Sequence, residues 1–136
     1  MDIRILLLLL MLIAGCSESQ NNLLPNDSKV IGSLKELKVE KKYLEDISLF
    51  YPGAPTEEAR LKAELVTNLM LSALISKTEN EITENEFWLI LEACAYYMKS
   101  MDSEELERSL LYMEQIMDIY GIESSDGRLN YWRYGF

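Results

Sequence analysis

The chain has 136 residues, 13 Lys and Arg against 23 Asp and Glu, and a formal net charge of −10. That length suits one domain, and 49% hydrophobic with 26% charged residues excludes a disordered or collagen-like chain. The acidity argues against nucleic acid as a partner, and the absence of His removes Ser-His-Asp and Cys-His catalysis, His-ligated zinc and the Glu-x-x-His di-iron site.

The N-terminus begins with Arg4 against Asp2, followed by the apolar run Ile5 to Ala14. A run of that length matches a secretory h-region of about 7–15 residues and falls short of the roughly 20 needed to span a bilayer. The segment ends in Ile13-Ala14-Gly15-Cys16, which resembles the bacterial lipobox. The alternatives are an ordinary cleavable signal and a buried apolar helix with a chance Cys. The lipobox resemblance implies a signal peptide over residues 1–15. It also implies a mature chain whose first residue, Cys16, carries a diacylglyceryl thioether and thus two or three acyl chains in all. Two or more chains give stable membrane anchoring where one gives marginal binding. In the enterobacterial sorting scheme that comes with the resemblance, Ser17 permits passage to the outer membrane where Asp would retain the protein.

Residues 16–32 are polar and read as the lipidated Cys plus a flexible tether, about 20 Å from end to end. Within it, the Leu23-Leu24 pair can dock on the domain that follows. That domain is expected over residues 33–136 as an all-α, up-and-down bundle of about four helices with a short aromatic C-terminal segment. Ser33 with Glu36 makes a capping-box pattern for a first helix that runs to about Phe50. Leu37, Leu44, Ile47 and Tyr51 would share its buried face, and Tyr51-Pro-Gly-Ala-Pro55 ends it. Thr56 suits the N-cap of a second helix reaching about Lys77. Leu61, Leu65, Val66, Leu69, Met70, Ala73 and Leu74 form its stripe, widened by Leu71 and Ile75, so this helix is expected to be the most buried.

Thr83 with Glu86 is a second capping box, and Phe87, Ile90, Leu91, Cys94, Met98 and Met101 recur at helical spacing. A fourth helix opens near Asp102 or Ser103, with Leu106, Leu110, Met113, Met117 and Tyr120 on its stripe and Gly121 as its C′ residue. No segment alternates as a strand would, and the short connections make neighbouring helices antiparallel. Two stacked helical hairpins of solenoid type are the second architecture.

The chain closes on Ser124-Ser125-Asp126-Gly127, where the first three residues can cap a short helix over Gly127 to Trp132. Four of the last six residues are aromatic. They form either a lid over one end of the core or an exposed patch in which Tyr131, Trp132 and Arg133 meet a partner. The stretch from Glu114 to Phe136, with its Ile-Met-Asp helix, Ser-Ser-Asp-Gly, Leu-Asn, Trp and terminal Tyr-Gly-Phe, resembles a small family of uncharacterised helical bacterial domains. That resemblance implies a compact helical domain and names no catalytic residue.

Charge is uneven. Residues 16–78 carry eight basic and nine acidic side chains, whereas residues 79–126 carry two and thirteen. The acids of the third and fourth helices form either a solvated face or a surface that steers a basic partner, with Glu104, Glu105 and Glu107 the candidate contacts. Acids at a helix start also suit the helix dipole, and the calcium-loop spacing is missing, so no metal is expected. Cys94, on the apolar stripe, reads as a small buried hydrophobe; the alternative is a reactive thiol. Lys35, Lys38, Lys41 and Lys42 are interleaved with Glu36, Glu40 and Glu45, which i, i+4 pairing would explain.

These readings converge on a lipid-anchored envelope protein, at the periplasmic face of the outer membrane in a Gram-negative host. The expected role is non-enzymatic and needs no cofactor: an acidic helical module that binds another protein. Narrower forms are an immunity-type inhibitor of a secreted toxin and a structural accessory of an envelope complex.

Overall fold

In the computed structural model, which describes residues 22–135, the chain is an all-α bundle. It consists of α1 (Ser28–Val39), α2 (Glu57–Thr78), α3 (Glu84–Met98), α4 (Ser103–Tyr120) and α5 (Arg128–Tyr134). Cys16, the signal segment 1–15, the tether up to residue 21 and Phe136 lie outside the described residues.

The latter half of the expected tether is part of the domain. Asn22 accepts a hydrogen bond from Glu84 N–H, and Leu24 N–H donates to the Ile82 carbonyl at 2.9 Å. Leu24 docks on the core while Leu23 stays exposed. Helix α1 starts at Ser28 because Asp27 accepts hydrogen bonds from the N–H groups of Lys29 and Val30. The start expected at Ser33 is therefore a turn and a half too late, and Val30 joins Leu34 and Leu37 on the buried face. The same helix ends at Val39, with Glu40 as its extended C-cap, about ten residues earlier than expected.

The caps of the other three long helices follow the sequence. Thr56 accepts from Ala59 N–H, Thr83 and Glu86 form both bonds of a capping box, and Asp102 accepts from Glu104 N–H. Gly121 ends α4 in the left-handed conformation, at φ 73°. Helix α5 differs: Gly127 precedes it at φ 82° and no side chain caps it.

The helices pack in a ring, α1 on α2, α2 on α3, α3 on α4 and α4 on α1, with α5 lying across α3 and α4. Helices α2 and α4 thus occupy opposite corners. The core is filled by Leu34, Leu71, Leu74, Phe87, Leu91, Met98, Leu110, Met113 and Ile116. The most buried helix is α4, with nine buried residues, and not α2, with seven. Three of the seven on α2 are polar or charged, Arg60, Thr67 and Thr78, while Leu61, Leu65 and Leu69 of the expected stripe face outward. Thr67 and Thr78 are admitted to the interior by tyrosine hydroxyls, Tyr43 and Tyr120, at 2.5 and 2.6 Å.

Candidate binding site

The segment Glu40–Pro55 joins α1 to α2 at the pole of the bundle opposite Leu23. Its path is fixed by polar groups turned inward. Lys42 is fully buried, and its ammonium donates to the carbonyls of Lys38 and Glu40, closing the C-terminal end of α1. This replaces the i, i+4 pairing expected of the lysine run; Lys35 reaches Glu79 at 3.0 Å. Lys42 N–H donates to Glu64 at 2.7 Å, and Arg60 spans Glu57, Glu64 and the Lys42 carbonyl. Tyr43 follows in the left-handed region at φ 59°, fully buried, with its N–H donating to the Tyr112 hydroxyl.

A tight turn comes next. Asp46 and Tyr51 exchange backbone hydrogen bonds of 2.8 and 3.0 Å around the single 3-10 turn Ile47–Leu49. One carboxylate oxygen of Asp46 accepts from the Ser48 N–H and hydroxyl, and the other accepts from Arg108 at 3.1 Å. The Ser48 and Arg108 bonds hold this carboxyl below its ordinary pKa. The Arg108 guanidinium lies 5.3 Å from the ring centres of both Tyr51 and Tyr112. The Tyr51 hydroxyl donates to Glu105.

The turn presents Phe50 to solvent. Phe50 is 95% exposed and sits in the left-handed region at φ 54°, a conformation unfavourable for a bulky side chain. Leu44, Ile47 and Leu49 are exposed on the same segment. Between this segment and the start of α4 lies an open cleft of about 280 Å³, lined by Leu49, Phe50, Pro52, Glu104, Glu107 and Leu111 together with Arg108. An apolar rim therefore stands beside two carboxylates.

The structure divides the residues expected to meet a partner. Glu104 is exposed and Glu107 borders the cleft while accepting from Arg133 at 2.6 Å. Glu105 is only 2% exposed, and burial pushes its carboxyl above the ordinary carboxylate range, so it is no surface contact. A helix start places successive side chains on different faces, and position 105 points at Tyr51. In the tail, Trp132 is 3% exposed beside Trp88, while Tyr131 and Tyr134 face solvent. The lid and the exposed patch thus coexist on α5, with Trp132 on the wrong side for a partner. Burial pushes the Cys94 thiol up to about 12, so it behaves as a buried hydrophobe. Phe50, Asp46 and Arg108 were not singled out by the sequence. The Tyr51-Pro52-Gly53 run directly after Phe50 signals a turn, while nothing in the sequence marks the apolar residues before it as exposed.

Residues 24–136 match the model of a domain of unknown function, DUF4844. The chain belongs to that family. The DUF4844 chain also resembles the crystal structure of a DUF3571 family protein from Acinetobacter baumannii AYE. The two share 28% identity at a TM-score of 0.70, over 81% of this chain and 92% of that one. None of the curated proteins matches the DUF4844 chain. No helix among the described residues is long and apolar enough to cross a membrane.

Proposed function

We propose that this DUF4844 chain is a lipid-anchored, non-enzymatic binding module of the bacterial envelope. In this reading Cys16 carries the lipid, and the Phe50 turn with the start of α4 receives a basic, partly apolar protein segment. The observation that carries the binding reading is Phe50: a large aromatic held in solvent in a strained backbone conformation, beside the exposed Glu104 carboxylate and the Glu107–Arg133 ion pair. An exposed aromatic anchor next to complementary charge is the composition of an interaction hot spot. The cleft is open to solvent and bordered by the exposed Phe50, which suits side chains of a partner surface better than an enclosed small molecule. The lipid reading rests on the Ile13-Ala14-Gly15-Cys16 lipobox. A tether that enters beside Thr83 leaves the far pole, where the cleft lies, uncovered.

The test is photo-crosslinking in the native envelope, with a photoreactive aromatic replacing Phe50 and, as control, Glu114 on α4. A single basic protein captured at position 50, and lost when Glu104→Lys is added, supports the reading. An immunity-type role would make that partner a toxin met only occasionally; an accessory role would make it an abundant envelope component. The same set of proteins captured at both positions overturns the binding site.

A further inference from the structure

The exposed flank between α2 and α3 has no role in the cleft. Leu61, Leu65 and Leu69 recur at four-residue spacing on the outer face of α2, and each is more than half exposed. Between them and α3 runs a groove of about 430 Å³, lined by Leu65, Val66, Leu69, Ala73, Ile90 and Tyr97 among others, with no charged residue in its lining. Charge is confined to its borders. Lys62 reaches over the Tyr97 ring at 6.0 Å, and Glu86 is neutralised by Lys77 at 3.0 Å. In a chain of net charge −10 such a flank is conspicuous, because the carboxylate-rich α4 occupies the opposite corner of the bundle. Helix α5 lies on the α3–α4 side and leaves the groove open.

The place where the described chain begins indicates what covers this flank. Leu23 pairs with Thr83, the residue that caps α3. Cys16 lies seven residues before Leu23. Extended, that stretch reaches about 23 Å at roughly 3.3 Å per residue. Ile90 and Tyr97 lie about 10 and 21 Å along α3 from Thr83 at 1.5 Å per residue. A lipid on Cys16 therefore has its bilayer within reach of the whole groove.

We infer that the α2–α3 flank is a membrane-docking face, laid on the bilayer surface by the anchor. The inference rests on the reading of Cys16 as acylated. Leucines at the acyl boundary, a tyrosine at the headgroup level and a lysine extending from the rim are what an interfacial face uses. Anionic headgroups repel the acids of α4, which favours the same orientation: α2 down, α4 outward. The Glu104 and Glu107 cleft then points away from the lipid.

The test uses the acylated chain in vesicles of phosphatidylethanolamine and phosphatidylglycerol. A nitroxide is placed at Leu65→Cys or, separately, at Glu114→Cys, and collision with oxygen and with a water-soluble nickel chelate is measured. The expected result is an oxygen-to-nickel ratio several-fold higher at 65 than at 114. Equal ratios, with Cys16 acylated by mass spectrometry, overturn the docking face and leave the anchor intact. Spin–spin broadening at 65 with a water-like ratio overturns it in favour of a second copy of the chain. An unacylated Cys16 overturns the anchor and the docking face together.

Discussion

Asp46, in the α1–α2 connection, and Glu105, in the first turn of α4, are two carboxylates whose surroundings push them in opposite directions. Asp46 is held below its ordinary pKa by hydrogen bonds from Ser48 and Arg108. It adds stability above the ordinary carboxylate pKa, and that stability is lost as pH falls through the depressed folded value. Glu105 is raised, chiefly by burial, against the Tyr51 hydroxyl that donates to it. Folded Glu105 therefore keeps its proton at a pH where the unfolded side chain, near about 4.3, has lost it. The native state binds more protons in that window, and stability falls as pH rises through it. Glu105→Gln keeps an acceptor for Tyr51 and removes the titration. Its melting temperature should equal or exceed that of the parent at pH 7, with the difference shrinking below about pH 4. A variant that melts lower at pH 7 would show that the buried carboxylate is net stabilising. Nothing in the sequence distinguished Glu105 from Glu104 or Glu107. The inward partner of Glu105, the Tyr51 hydroxyl, comes from more than 50 positions away in the chain.

At the scale of elements, the features legible in the sequence are those made within a few residues. Thr56, Thr83, Asp102 and Gly121 act where they stand because a cap is a bond between a side chain, or a left-handed residue, and the adjacent turn. Helix α1 shows the limit. Asp27 and Ser33 are both acceptable caps, and no Pro or Gly marks its end. Its end is fixed instead by Lys42 folding back and by Glu64 and Tyr112, which come from α2 and α4. Helix α2 carries apolar residues on several sides, so periodicity alone does not say which side faces the core. The Phe50 turn, hidden inside the expected first helix, gives the sharpest prediction at this scale. Its ring contributes almost no burial, and its backbone is one that glycine adopts without penalty. Phe50→Gly should raise folding stability by about 1 kcal/mol, read as a higher urea midpoint with unchanged slope, while weakening capture of the partner. A gain of stability with loss of binding marks a residue kept for function. A loss of stability instead would mean that the ring packs against the domain.

The whole molecule separates three properties in space. The chain enters beside Thr83 at one pole, the Phe50 cleft lies at the other, and α2, about 33 Å long at 1.5 Å per residue, runs between them. Across the bundle, an uncharged flank on α2 and α3 is set against the acids of α4. On the proposed reading such a charge distribution acts before contact: it would orient a basic partner during approach, and added salt would screen it, with a Debye length near 8 Å at about 0.15 M. Short-range contacts such as Phe50 act after encounter and govern dissociation instead. The two contributions can therefore be separated with the partner captured at Phe50. In the parent, the association rate should fall steeply between about 0.05 and 0.5 M salt, over which the screening range shortens roughly threefold. Glu104→Lys with Glu107→Gln should associate more slowly at low salt and show a flattened salt slope, with the dissociation rate little changed. Glu105 must be left in place, since reversing a buried carboxylate would disrupt the fold and mimic a loss of binding. Phe50→Gly should do the converse, leaving the salt slope intact and speeding dissociation. If the acidic variant keeps the parental slope, the acids of α4 are a solvated face and the partner is recognised by the apolar turn alone.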